Sequence, residues 1–237
     1  MESAKYKRIL VKVSGEALAG DKHFSLDVPT LDRVAAELKA CHDAGAEVAV
    51  VTGGGNFWRG AKDGGPMERT RADHMGMLAT VMNCIALSEA VRRAGAEAVV
   101  MSAVPMPAFC EYYTQAAADA ALRAGKIVFL ACGTGWSYFS TDTGAVLRGT
   151  ELHADMILLA KNIDGVYDKD PGKNPDAKRY DRITFSEVLA QGLKVIDSTA
   201  ASLSMDNGIP LLLFALSDPK NITRACLGET VGTILTK

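Results

Sequence analysis

Val48-Ala-Val-Val-Thr-Gly-Gly-Gly-Asn-Phe-Trp-Arg-Gly60 is an apolar run that breaks into three successive glycines and then a lone arginine. A run of β-formers without polar alternation predicts a strand buried on both faces, as in a parallel sheet covered by helices. Glycines directly after such a strand let the chain reach positive φ or let a ligand approach the main chain. At the carboxyl end of a strand in an open α/β sheet, their N–H groups point into the crevice where such folds bind ligands. Arg59 adds a fixed fork of donors that suits a phosphate. A tight turn needs one glycine and seldom three, so the segment predicts an anion-binding crevice.

The same rhythm extends in both directions. Apolar runs at Ile9–Val13, Glu47–Val51, Ala98–Met101, Ile127–Ala131, Met156–Leu159 and Leu211–Ala215, with a weaker one near Gly232–Leu235, predict strands. Helical spacing follows Pro29 through Leu31, Val34, Ala35, Leu38 and Cys41, with Gly45 as a stop. Met75, Leu78, Met82, Ile85 and Ala86 mark a longer helix ending near Gly95, with the methionines Met75, Met77 and Met82 expected as core filler. Ala116–Ala124, a capping box at Thr184 and Glu187 with a stop at Gly192, and Ala200–Asn207 complete the helical set. Alternating strands and helices predict an α/β protein with helices on both sides of a mainly parallel sheet, here treated as one domain. Asp168 to Arg179, broken by Pro171, Gly172 and Pro175, reads as a loop and a candidate lid or wall.

Composition excludes several classes. The chain has 237 residues, 48% apolar, enough for one sizeable domain, and a net charge of −2 without a basic stripe, so no nucleic-acid partner is expected. Its longest apolar stretch, Ile209–Leu216, is too short to predict a membrane span. Five cysteines, odd in number and without C-x-x-C spacing, fit reduced thiols, and Met1–Arg8 carries no leader pattern, so the expected compartment is cytoplasmic. Four histidines at unrelated spacings predict no metal centre. There is no G-x-x-x-x-G-K-[ST], no assembled Ser-His-Asp or Cys-His group, and the acidic run before Pro171 lacks the closing acid of a calcium loop.

What remains is a set of glycine- and hydroxyl-rich strand ends. Lys12 stands inside an apolar strand that ends Val13-Ser14-Gly15; it serves a ligand or a carboxylate, or else snorkels from an edge strand. Asp73, near a helix start, is either a favourable charge on the dipole or an acceptor for ribose hydroxyls. Thr134-Gly135-Trp136-Ser137-Tyr138-Phe139-Ser140-Thr141-Asp142 combines flexible glycine, hydroxyls and aromatics able to stack on a base; Ser140 and Thr141 read equally as N-caps or as an anion site. Tyr167 and Asp170 either face a nucleotide or order their own loop.

Five of these segments together resemble one family: Lys12-Val-Ser-Gly-Glu-Ala-Leu18, Gly53-Gly-Gly-Asn-Phe-Trp-Arg-Gly60, Asp73-His-Met-Gly-Met-Leu-Ala-Thr-Val-Met-Asn83, Asp142-Thr143 and Asp164-Gly-Val-Tyr-Asp-Lys-Asp-Pro171. They resemble the bacterial UMP kinases of the amino-acid kinase superfamily, from about Tyr6 to Thr236. The resemblance implies a three-layer αβα sandwich, a homohexamer, and transfer of the ATP γ-phosphoryl to UMP with Mg²⁺ carried by the nucleotide. It implies that Lys12, Val13, Ser14, Gly15, Gly55 and Arg59 hold ATP phosphates, with Lys161, Asn162, Tyr167 and Asp170 around the rest of ATP. Gly54, Asp73 and Thr134, Gly135, Trp136, Ser137, Tyr138, Phe139, Ser140 and Thr141 would hold UMP. Lys12, Asp142 and Arg59 would be catalytic, Asp142 orienting Lys12 and Lys161. It further implies an N-terminal part mainly for UMP, a C-terminal part mainly for ATP, and GTP or UTP as effectors. Two departures stand out: the family's Asn-Pro is Trp136-Ser137 here, and Ser140 replaces a threonine.

Such a reaction needs no tuned base, because a UMP phosphate oxygen is already an anionic nucleophile. Positioning and charge neutralisation then carry catalysis. Two alternatives follow from the same residues: a sibling phosphotransferase making an acyl phosphate or acting on another small phosphate, and a non-catalytic nucleotide or oxyanion binder.

Overall fold

A computed structural model describes residues 3–59 and 63–237. Gly60, which closes the glycine-arginine motif, lies outside the described residues. Strand β1 (Arg8–Val13), buried at all six positions, lies at the centre of a nine-stranded sheet. It pairs in parallel with β2 (Glu47–Thr52) on one side and β6 (Met156–Lys161) on the other. Beyond β2 come β5 (Ile127–Ala131), β3 (Ala98–Ser102) and the short β4 (Glu111–Tyr112); beyond β6 come β10 (Leu211–Ala215), β11 (Thr233–Thr236) and β9 (Arg182–Thr184). Only the β10–β11 pairing in this sheet is antiparallel. A two-stranded hairpin, β7 (Val166–Tyr167) with β8 (Arg179–Tyr180), projects from it.

Side chains alternate across the sheet and divide the core into two layers. Val11, Val13, Val50, Phe129 and Phe214 pack under α2 (Val28–Asp43), α3 (Arg69–Arg93) and α8 (Asn221–Cys226). Leu10, Val51, Leu130, Leu159 and Leu213 pack under α4 (Gln115–Arg123), α5 (Thr141–Glu151), α6 (Phe185–Ala190) and α7 (Ser198–Asn207). This is the three-layer αβα sandwich. Lys12 shares the face of Leu10, so it points toward α5; a central strand position excludes the edge-strand reading of that lysine.

Local signals explain most element ends. Asp27 caps α2 through the Thr30 N–H with Pro29 in the first turn, and Thr184 and Glu187 form the full capping box of α6. The α3 methionines depart from expectation. Met75 and Met82 are exposed together with Leu78 and Ile85, so they are not core filler, whereas Met77 turns inward to pack on the first layer. Of the described helices α3 alone has the length and apolar content to cross a membrane, but half of its apolar window is buried inside the protein.

Candidate active site

The three glycines after β2 are required for close approach, not for positive φ, since none of Gly53, Gly54 and Gly55 has a left-handed backbone. A Cβ on Gly15, which opens the short helix α1 (Gly15–Leu18), would meet the Gly53 carbonyl oxygen at 2.4 Å, so the loops after β1 and β2 touch backbone to backbone. A Cβ on Gly54 would lie 2.7 Å from the Gly76 carbonyl oxygen of α3. Asn83 of α3 locks this junction, donating to the Gly53 carbonyl at 2.6 Å and exchanging amide hydrogen bonds with Asn56.

Over the strand tips opens a cleft of about 510 Å³. Lys12, Ser14, Gly15, Gly55 and Arg59 line it together with Gly54, Asp73, Thr134, Trp136, Tyr138, Phe139, Ser140 and Thr141, among others. Two residue sets drawn from distant segments thus face a single space. Val13 lies buried beneath it, and Gly135 and Ser137 belong to the loop but not to its lining.

Behind Lys12, Asp142 lies in the first turn of α5, where Ser140 is the N-cap and accepts from the Thr143 N–H at 3.1 Å; Asp142 and Lys161 line a neighbouring pocket and not the cleft itself. Its carboxylate stands 3.2 Å from Lys12 Nζ and 2.5 Å from Lys161 Nζ. Burial alone would raise the Asp142 pKa, but the charges of Lys12 and Lys161 hold it below the usual carboxylate range. Burial pushes Lys161 below the usual lysine range, against the pull of Asp142. Lys161 also donates to the Val195 carbonyl at 2.6 Å. Of the two candidates after β6, Lys161 joins the charge cluster, while Asn162 is exposed and bonds Glu16 at 3.1 Å.

The loop after β5 is held from several directions. Cys132 takes φ 64° and donates its N–H to Thr80 Oγ1 at 2.8 Å. Asp73 accepts the Tyr138 N–H at 2.9 Å and both of its oxygens accept from Arg69 at 2.9 Å; the Arg69 guanidinium stands 5.2 Å from the Tyr138 ring centre. Cys132 lines the cleft, and burial raises its thiol.

Arg59 forms an ion pair with Glu16 at the cleft wall. Tyr167 and Asp170 stand outside the cleft lining: the Tyr167 hydroxyl donates to Asp164 at 2.9 Å, and Asp170 accepts from the Gly172 N–H at 2.9 Å. Among the described residues no group of three or more His, Cys, Asp or Glu is arranged to hold a metal ion. Sequence reasoning missed Arg69, Thr80, the Asn56–Asn83 pair and Asp197, whose carboxylate accepts from Ser140 at 2.5 Å and Thr143 at 2.9 Å. Of these, only Arg69, four residues before Asp73, carried a local signal.

The chain matches the model of the amino acid kinase family over residues 7–215. It is 52% identical over 236 residues to the uridylate kinase of Azorhizobium caulinodans, with 99% of each chain covered. It is similar in structure to UMP kinase from Bacillus anthracis, with a TM-score of 0.93 and 36% identity over 98% of this chain and 96% of that one. UMP kinase from Ureaplasma parvum gives a TM-score of 0.93 and 34% identity over 98% of this chain and all of the other.

Proposed function

Because this chain belongs to the amino acid kinase family, and within it to the uridylate kinases, we propose that it transfers the γ-phosphoryl group of ATP to UMP, giving UDP and ADP for pyrimidine nucleotide synthesis. The observation that carries this reading is Lys12, which lines one cleft together with residues of both sets and is tied behind it to the buried Asp142–Lys161 pair. Two polyanions repel each other, and an enzyme that joins them must supply positive charge where they meet. Lys12, held by Asp142, and Arg59 supply it; the amides at Gly15 and Gly55 cradle phosphate oxygens, whereas the Ser14 N–H is spent on the Ala160 carbonyl at 3.2 Å. Arg59 changes partner from Glu16 to phosphate when a nucleotide arrives.

Asp73 and the loop from Thr134 to Thr141 hold UMP, Asp73 accepting from ribose hydroxyls with the lone pairs that Arg69 and Tyr138 leave. Lys161, Asn162, Tyr167 and Asp170 take the ATP side. Both sides draw on both parts of the chain: Lys12, Gly15, Gly55 and Arg59 of the ATP side lie in the N-terminal part, and the UMP loop from Thr134 to Thr141 lies past mid-chain. Mg²⁺ enters with ATP as part of the substrate, since Asp142 is committed to two lysines. Trp136, 74% exposed, lines the cleft at its solvent side.

A homohexamer is the assembly we assign, supported by the exposed stripe Met75, Leu78, Met82 and Ile85 at helical spacing on α3. The five free cysteines fit the reducing cytoplasm. ADP release measured with UMP, CMP, dUMP, aspartate, glutamate and carbamate, each with and without GTP or UTP, tests the reading. UMP should be the preferred acceptor; preference for a carboxylate or carbamate, or binding of ATP and UMP without turnover, would overturn it.

A further inference from the structure

Arg148 takes no part in the reading above, yet it is 6% exposed and carries a full charge. It lies on the third turn of α5 and makes three kinds of contact at once. Nη1 donates to Glu151 at 2.6 Å; Nη2 donates to the Gly133 carbonyl at 3.2 Å and reaches the Thr134 carbonyl at 3.4 Å. The face of the guanidinium rests 4.1 Å from the centre of the Tyr113 ring. The Tyr113 hydroxyl in turn donates to the same Glu151 oxygen at 2.6 Å. Burial raises that phenol, so its proton stays in place as a donor.

Gly133 and Thr134 are the root of the loop that lines the acceptor side of the cleft. That root is conformationally costly. Cys132 and Gly133 have φ of 64° and 55°, two left-handed residues in succession, and Cys132 has a side chain. A backbone in such a state persists when surrounding groups over-determine it. Thr80 and Asp73 hold the loop from the α3 side, at the Cys132 and Tyr138 N–H groups. Arg148 holds it from the opposite side and by the opposite atoms, the carbonyls. Helix α5 comes close enough that a Cβ on Gly144 would stand 3.1 Å from the Gly133 Cα.

We propose that Arg148, seated on Tyr113 and balanced by Glu151, is a positioning residue that fixes the acceptor loop in the shape that binds UMP. The proposal rests on the reading that this loop holds UMP. A buried ion pair is a poor source of net stability compared with apolar packing, and a charge of this kind supplies conformational definition instead. Arginine is specifically suited: its planar fork reaches one carboxylate and two carbonyls while its face stacks on an aromatic ring, which an ammonium cannot do.

Arg148→Met keeps an unbranched apolar stem and loses the donors. It should raise KM for UMP about tenfold while leaving kcat within about threefold and KM for ATP within about twofold. In the nucleotide-free protein, hydrogen exchange at the amides of residues 133–139 should speed up. Tyr113→Phe and Glu151→Gln should move both readouts the same way by less, and they decide the matter should Arg148→Met fail to fold. A folded variant with unchanged UMP KM and unchanged loop exchange would overturn the proposal, as would equal rises in KM for both nucleotides. Wild-type protein inert toward UMP would sink the functional reading, and loop exchange without nucleotide would still report on the grip of Arg148.

Discussion

Asp142→Asn removes one charge from a buried cluster while keeping size and shape, and its consequences can be worked from distances. At an effective dielectric near 20, unit charges 3.2 Å and 2.5 Å apart attract by about 5 and 7 kcal/mol before other costs. Burial of all three groups and repulsion between the lysines offset most of this. Removing one partner of such a cluster leaves uncompensated charge and costs roughly 3–5 kcal/mol. For a chain of this size that lowers the melting temperature by about 10 °C near neutral pH.

The pH dependence has a definite sign. Asp142 has a lowered pKa in the folded protein, so its contribution is present above the ordinary carboxylate range and is lost as pH falls through the folded value. Lys161 is also lowered, so the folded state gains stability as pH rises from its folded value toward the ordinary lysine range. Without Asp142, Lys161 loses its support and sheds its proton at lower pH, which relieves the variant. The melting gap between wild type and Asp142→Asn should therefore be widest near neutrality, narrowing toward strongly acid and toward alkaline pH. In a coupled ADP-release assay kcat should fall about 10²–10³-fold. An Asn variant that melts within about 2 °C of wild type, with a gap that ignores pH, would refute the electrostatic account.

Three further outcomes follow from the same geometry. Lys12→Ala should lower kcat by about 10²-fold or more, with a melting shift smaller than that of Asp142→Asn because Lys161 still balances the carboxylate; retained turnover would remove Lys12 from the mechanism. Asp73→Asn should raise KM for UMP about tenfold, since it weakens the hold on both Arg69 and the Tyr138 N–H; an effect confined to KM for ATP would reverse the assignment of the two sides. Gly15→Ala forces a methyl group against the Gly53 carbonyl, so the two glycine loops must part, and kcat/KM should drop about 10²-fold. Steady-state kinetics on a variant whose melting curve stays cooperative checks each one.

The six long parallel strands were legible because burial on both faces leaves uninterrupted apolar runs, as at Ile127–Ala131 and Leu211–Ala215. Strands β4, β7, β8 and β9 were not, since two or three partly exposed residues carry no period. The α5 interior was hidden by Gly144, Gly149 and scattered threonines, although Ser140 announced its start. The apolar stripe of α3 was legible as a helix but not as a surface, because periodicity shows that a face is apolar and not what covers it. In the site, residues that line the cleft at the strand tips were visible as glycines and lone charges. Residues that brace them were not: Glu16 meets Asn162 across 146 positions, and Asn56 meets Asn83 across 27.

Helix α5 bears Asp142 in its first turn and Arg148 six positions on, about 9 Å along the axis at helical rise. One end therefore steadies the lysines and the other the loop after β5. A rigid rod that carries both fittings ties their spacing to its own length. Sliding it would shift the lysine cluster and the loop together, so the loop's side chains are freer to change than the helix beneath them.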